Sequence, residues 1–367
     1  MLKIIHGADF HLDSPFAGLS PERAAQRRGE QRELLVRLAA LARARRADLV
    51  LLSGDLLDSE RVYRETAKTL SRALETMGCP VVIAPGNHDF YGSRSVYATL
   101  KWPENVHIFT QEQMQTVELP GCTVHGAAFL SPRMERTPLA GFHAPEDGKL
   151  HVGVLHGELE GGESYGPLSR EDIAGSGLAY LALGHVHRCS GLKREGNTFW
   201  AYPGCPEGRG FDELGEKGVL CLELEEPAGQ TGTACPCRAE FVPLCGRRYE
   251  ILQADLTGCE DPVEAVLDAL PRGTEEDVYR IVLTGETEPP DLAALERALA
   301  PRFYGLSLQD RTALPRRLWE RMEEDTLTGL FLREMDRLCR ERPEDESLAL
   351  AVRFGLAALE GGEDAAP

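Results

Sequence analysis

No stretch of this 367-residue chain approaches the ~18 consecutive apolar residues that a membrane-spanning helix needs. The opening MLKIIHGADF turns polar after Ile5, which argues against a signal peptide or anchor and leads us to expect a cytoplasmic protein. Paired cysteine spacing is missing as well. Ten cysteines are scattered, Cys235 and Cys237 form the one close pair, and no second pair stands at zinc-finger distance. Reduced thiols are therefore expected, not a disulfide framework or a structural zinc. Internal repeats are absent, and low complexity is confined to the last few residues.

Positive charge is also scarce, with 40 Lys and Arg against 59 Asp and Glu and a net charge of −19. Residues 245–367 alone hold 15 basic and 27 acidic groups. Nucleic-acid affinity normally rests on basic surface, so tight non-specific DNA binding by this chain alone is disfavoured. Hydrolysis of a phosphodiester is not. Arg23, Arg27, Arg28, Arg32, Arg37, Arg43, Arg45 and Arg46 read as a solvated helix face, with a phosphate-contacting rim as the alternative.

The apolar content of 42% is ordinary for a globular protein, and the length allows two domains or one large core with an appendage. LKIIHGAD, ADLVLLSGDLLD and CPVVIAPGNHD read as buried strands, separated by helical stretches near 20–46 and 62–77. That alternation predicts parallel pairing with right-handed crossovers, and loops at the carboxyl ends of the strands as the working site. From about 106 to 224 the strands shorten (VHIFT, TVELPG, CTVHGAAF, LHVGVLHG, LAYLALGHVH, NTFWAYPG, GVLCLELE) and suggest a second sheet stacked on the first. Residues 225–237 read as a hairpin tip.

The fold class expected is α/β, a two-sheet α/β sandwich over residues 1–245, followed by a small α+β cap over 246–312 and C-terminal helices over 313–367. In the last segment Leu327, Phe331, Met335 and Leu338 fall on one helix face, packed within the domain or presented to a partner.

Five blocks carry chemistry in a fixed order: ADFH (Asp9, His11), SGD (Asp55), GNHD (Asn87, His88, Asp89), LHG (His156) and GHVH (His185, His187). Imidazole with carboxylate suits Mn, Fe or Zn, and a carboxylate can bridge two cations where a neutral ligand cannot. Asp9 and His11 are two apart, so in an extended segment they face one cation together. Asp55 follows a glycine that permits a sharp turn, and its two oxygens could span cations about 3.5–4 Å apart. Asn87 adds a neutral oxygen. His156 is a ligand candidate, and His185 and His187 repeat the two-apart spacing.

His88 is the better candidate for general acid, protonating the leaving oxygen or binding the scissile phosphate. Asp89 could fix the His88 tautomer or cap the next helix. Asp13 and Asp58 are expected as capping or supporting groups. His6, His107, His125, His143 and His151 are expected as hydrogen-bonded structural histidines.

This ordered set resembles the calcineurin-like metallophosphoesterases over about residues 1–224, and within them the SbcD-type DNA-repair exonucleases, in particular a YhaO-like branch. HGADFHLDSPF, LLSGDLLD, APGNHDFY, LALGHVHR and YPGCPEGRGFDELGEKG carry the closer likeness. The resemblance implies Asp9, His11, Asp55 and His187 on one metal and Asp55, Asn87, His156 and His185 on the other. It further implies two divalent metals, Mn²⁺ first with Fe, Zn or Mg as alternatives, and a hydroxide shared by them attacking phosphorus in line while His88 assists departure. DNA ends, an SbcC-like coiled-coil ATPase and a homodimer are the implied partners. Phe10 stands where relatives commonly have Trp, and Cys205 where they often have Ser; neither position binds metal.

Three alternatives remain. A protein phosphatase on this fold is expected to read GDxxDRG and GNHE, whereas this chain has GDLLDSE and GNHD. A small-molecule or cyclic-nucleotide phosphodiesterase shares the metal blocks but needs no cap or terminal helices. A non-catalytic DNA-end scaffold for an ATPase would not need an intact ligand set.

Overall fold

The computed structural model describes residues 1–59, 61–162, 164–225, 235–287, 290–342, 344–345 and 347–359. The chain divides into two compact units, Met1–Arg248 and Tyr249–Pro367. The first begins β1 (Leu2–Gly7), α1 (Pro21–Arg45), β2 (Leu49–Leu52), α2 (Arg64–Thr76), β3 (Val81–Ile83), α3 (Val96–Thr99) and β4 (Val106–Ile108). It continues β5 (Gln115–Leu119), β6 (Cys122–Gly126), β7 (His151–His156), α4 (Arg170–Gly175) and β8 (Tyr180–Gly184). It ends β9 (Lys193–Glu195), β10 (Thr198–Ala201), β11 (Gly218–Leu224) and β12 (Cys237–Pro243).

Two six-stranded sheets result, ordered β12-β11-β1-β2-β3-β4 and β5-β6-β7-β8-β10-β9. The α/β sandwich expected from sequence is therefore present. Strands β1 to β4 pair in parallel, as do β6, β7 and β8. Because strand side chains alternate, Ile5, Val50 and Leu52 pack beneath α1 and α2 with Leu34, Leu38 and Leu74. Ile4, Leu49, Leu51 and Val82 point the other way and meet Val124, Val152, Val154 and Tyr180 of the second sheet. Burial on both faces is why these strands read as continuous apolar runs.

Two strands expected in the second sheet complete the first instead. VHIFT forms β4, parallel to β3, and GVLCLELE forms β11, antiparallel to β1 with Ile4 opposite Leu222. Apolar strands of this length carry no mark of which sheet they join. The hairpin read at 225–237 links β11 to β12, with Leu224 opposite Cys237; its tip, 226–234, lies outside the described residues.

Helix α1 starts at Ser20, whose hydroxyl accepts from the Arg23 amide, and stops at Arg46 in the left-handed conformation. Its arginines do not form one solvated face. Arg27 is wholly buried, donating to Glu207 at 2.8 Å and to the Gly208 carbonyl at 3.1 Å, with Glu30 also paired to it. Helical spacing could not reveal partners 180 residues away. Arg27→Met should lower the unfolding free energy by about 3–5 kcal/mol, because it leaves the Glu207 carboxylate buried without its cation. A urea midpoint equal to that of the wild type would contradict this.

All ten cysteines are free. His6 bonds Tyr180 and Ser53, His125 bonds Thr116 and His151, His151 reaches Asp147, and His143 bonds the Gly175 carbonyl.

The second unit holds β13 (Tyr249–Asp255), α5 (Pro262–Ala269), β14 (Val278–Thr284), α6 (Leu292–Leu299) and β15 (Gly305–Asp310). Its three strands are parallel around Leu256, Val266, Ile281, Leu283 and Leu295. Beyond them come α7 (Arg316–Glu320), α8 (Leu327–Glu341) and α9 (Ser347–Leu359), with their own cluster of Leu332, Met335, Val352 and Leu356. Leu327, expected to begin the packed stripe, is 68% exposed, and Leu332 is buried in the cluster with Met335. Among the described residues no helix is long and apolar enough to cross a membrane.

Candidate metal centre

The five motif blocks all emerge at carboxyl ends of parallel strands. Asp9 and His11 follow β1, Asp55 follows β2, Asn87 follows β3, His156 ends β7, and His185 and His187 follow β8. The backbone there is strained: Asp9, His11, Asp55 and His185 have φ of 55°, 43°, 50° and 107°. Such angles cost non-glycine residues of order 1–3 kcal/mol and persist where surroundings enforce them. Two glycines permit the crowding. A Cβ at Gly86 would press on Asp55 Oδ1, and one at Gly184 would collide with the Ser53 carbonyl.

Asp9, His11 and His187 form one nest and Asp9, Asp55 and His156 another, each with its ligand atoms within 4.8 Å of one another. Asp55 Oδ2 lies between them, 3.4 Å from His156 Nε2 and 3.7 Å from His11 Nε2. Asn87 Oδ1 is 2.9 Å from His156 Nε2 and 3.3 Å from His185 Nδ1. Asp9 accepts from the His185 amide at 3.0 Å, and Asp55 Oδ1 from the His88 amide at 2.9 Å.

The hydrogen bonds fix tautomers suited to cations. His156 Nδ1 donates to the Ser53 carbonyl at 2.9 Å, so in the neutral ring Nε2 turns a lone pair toward Asn87 Oδ1 and Asp55 Oδ2. His187 Nδ1 donates to Glu213 at 2.6 Å, leaving its Nε2 3.1 Å from His11 Nε2. His11 Nδ1 lies 3.3 Å from Asp58 Oδ1, poorly aligned for a hydrogen bond. Acceptors thus face acceptors across two gaps, an arrangement that divalent cations satisfy.

Electrostatics agree. Burial pushes the Asp9 carboxyl well above the usual carboxylate range, and Asp55 adds to the effect. Burial acts on Asp55 in the same sense, yet the imidazoles of His156 and His11 and the His88 amide outweigh it and hold Asp55 low. Burial lowers His11 and His185 to about 4, so both rings are neutral near pH 7, the form in which an imidazole can bind a cation. A cation between the two carboxylates would favour both in ionised form.

Asp89 fills neither role expected of it. Its oxygens accept from the Gly86, Asp55 and Leu57 amides and from the Tyr97 hydroxyl at 2.6 Å, tying the β2 loop to the β3 loop. The next helix begins after Ser95, whose hydroxyl bonds Gly92 and not the helix amides. His88 is exposed and bonds the Asp58 carbonyl through Nδ1 at 3.1 Å, leaving Nε2 uncommitted to the backbone. Asp13 accepts from Tyr63 and Thr66 at the start of α2.

Sequence reasoning gave no role to Glu213 and Arg209, which sit in the segment after YPG. Arg209 donates to Glu213 at 2.9 Å and to Asp58 at 3.3 Å, joining the supports of His187 and His11. Two-apart spacing points to candidate ligands, but a support contributed from a distant loop leaves no local signal. Cys205 lies beneath, its amide bonding the His187 carbonyl at 3.2 Å. Glu213→Gln should weaken metal affinity by about 10–100-fold, since removing the charge loosens the imidazole it orients. The midpoint of Mn²⁺ activation would move up accordingly; an unshifted midpoint would argue against that role.

An α/β sandwich with carboxylates, imidazoles and an amide oxygen gathered at its strand ends defines a metal-dependent hydrolase class. Residues 2–189 match the calcineurin-like phosphoesterase family, and the chain belongs to that family. It is 34% identical over 351 residues to the uncharacterized metallophosphoesterase YhaO of Bacillus subtilis, a match covering 91% of this chain and 84% of the relative. It is 24% identical over 289 residues to the SbcD component of the nuclease SbcCD of Staphylococcus epidermidis, covering 69% of this chain and 73% of that one. The DNA double-strand break repair protein Mre11 of Aeropyrum pernix is 26% identical over 237 residues, covering 59% and 56% respectively.

Proposed function

We propose that the chain is a metal-dependent DNA phosphodiesterase, an exonuclease or endonuclease acting at DNA ends in repair. The observation that carries this reading is Asp55, a buried carboxylate with one oxygen 3.4 Å and 3.7 Å from imidazole nitrogens of two neighbouring nests. Asp9, His11, Asp55 and His187 would hold one cation, and Asp55, Asn87, His156 and His185 the other; the mixed carboxylate and imidazole donors suit Mn, Fe or Zn, and the family resemblance puts Mn²⁺ first. When bound, the cations supply Lewis acidity toward the phosphoryl oxygens and the attacking water.

The chain's own groups do the rest. Ser53 and Glu213 hold the His156 and His187 imidazoles in one tautomer, and Asp58 lies beside His11. His88 gives a proton from Nε2 of its doubly protonated ring to the departing oxygen and keeps the Nδ1–H that bonds the Asp58 carbonyl. Asp89 acts as a positioning residue through the backbone amides of both loops.

DNA as substrate draws on the names of the nuclease and Mre11 relatives. On the same footing, residues 1–245 form the nuclease domain, 246–312 the cap, and 313–367 a docking segment for an SbcC-like coiled-coil ATPase. On the same reading the chain works in the cytoplasm. The net charge of −19 favours DNA delivery by that partner over autonomous binding.

The test uses purified chain with Mn²⁺ on end-labelled duplex, single-stranded DNA and bis-p-nitrophenyl phosphate. Cleavage of DNA supports the reading. Hydrolysis of the small diester with DNA untouched, even with the partner ATPase present, sinks it in favour of a small-molecule or cyclic-nucleotide phosphodiesterase.

A further inference from the structure

Helix α1 turns a glutamine into the core. Gln31 lies on the same buried stripe as Leu34, Leu35 and Leu38, and it is 1% exposed. We propose that Gln31 is a positioning residue for His11, acting through the His11 backbone, and that it tunes one of the two cation sites and not the other. This inference rests on the two-cation reading above.

Packing gives no reason for an amide at this position. Gln31 Nε2 donates to the His11 carbonyl, 20 residues away, at 2.9 Å. The acceptor has no proton to offer, so the amide nitrogen must face it and Oε1 must point elsewhere. Among the described residues Oε1 has no hydrogen-bond partner. A half-satisfied amide in a core is costly, and a leucine or methionine would suit the stripe better.

The reason lies at His11. Its φ of 43° is one that a non-glycine residue keeps only under constraint. Its peptide is held on both sides: the amide donates to the Asp55 carbonyl at 2.9 Å, and the carbonyl accepts from Gln31 and from the Ser14 hydroxyl at 2.7 Å. Ser14 belongs to the same loop and moves with it, whereas Gln31 ties that loop to a helix. The ring itself has no comparable hold. His156 and His187 are oriented through Nδ1, by the Ser53 carbonyl and by Glu213. His11 Nδ1 lies beside Asp58 without a well-aligned bond. The His11 imidazole is therefore aimed by its backbone, and the backbone is what Gln31 holds. Because His11 and His187 share one nest and His156 belongs to the other, the effect falls on the first.

The test is Mn²⁺ titration of the full chain, followed by calorimetry and electron paramagnetic resonance, with Gln31→Met, Gln31→Leu and Leu38→Met beside the wild type. Both Gln31 variants should bind the ion at the His11 site about tenfold more weakly, the low end for an outer support, and leave the other affinity unchanged. A single uncoupled ion should then be seen over a wider range of Mn²⁺ before the coupled pair forms. Without metal, the variants should melt no lower than the wild type. Leu38→Met, two turns along the same stripe, should bind both ions as the wild type does. Unchanged binding in the Gln31 variants, equal weakening of both sites, a lower melting temperature without metal, or the same effect in Leu38→Met overturns the role of Gln31 and leaves the two-cation reading intact. A wild type that binds one ion, or two without coupling, overturns both.

Discussion

Asp55→Asn is expected to lower kcat toward bis-p-nitrophenyl phosphate by on the order of 10⁴-fold, while the metal-free chain melts no earlier than the wild type. The two halves of this result come from one geometry. Asp55 Oδ2 is the atom between both nests, so losing its charge weakens both cation sites together. Several kcal/mol of transition-state stabilisation then vanish, at about 1.4 kcal/mol per tenfold in rate. Without metal, the neutral amide relieves the repulsion by which Asp55 pushes the buried Asp9 carboxyl up, and gives up the His156 and His11 attractions that hold Asp55 low, so the two changes offset. An amide oxygen can still accept from the His88 amide. A large loss of thermal stability in the metal-free variant would mean that Asp55 is a structural carboxylate. Near-normal turnover would mean that it does not join two cations.

His88→Ala is expected to separate substrates by their leaving groups. Departure of a sugar alkoxide from DNA needs a proton, and general acid catalysis contributes about 10²–10⁴-fold. p-Nitrophenolate leaves well without one. The variant should therefore lose on the order of 10²–10³ in kcat on DNA and far less on bis-p-nitrophenyl phosphate. The anchoring of Nδ1 on the Asp58 carbonyl underlies the expectation, since it leaves Nε2 for the proton transfer. Equal losses on both substrates would make His88 a phosphate-binding or structural group.

The parts legible in sequence were those governed by local rules. Strand ends, the two-apart pairs Asp9/His11 and His185/His187, and the alternation of β1, α1, β2, α2 and β3 all follow from periodicities of two and 3.6. What stayed hidden depends on pairing across the chain. Nothing within GVLCLELE says that it flanks β1 instead of joining the second sheet. Arg27 reads as one basic residue among eight until Glu207 is brought against it from a distant loop. Asp89 adjoins His88 in sequence, yet its carboxylate turns away to the amides of Gly86, Asp55 and Leu57. Glu213 and Arg209 were visible only as part of a likeness, because the support they give His187 is made in space.

The central claim is that two cations share Asp55. Titrating the full chain with Mn²⁺ and following it by electron paramagnetic resonance tests that claim most directly. The account predicts two Mn²⁺ per chain with the exchange-coupled spectrum of a pair about 3.5–4 Å apart, abolished by Asp55→Asn. A single bound ion, or two ions without coupling, would contradict it.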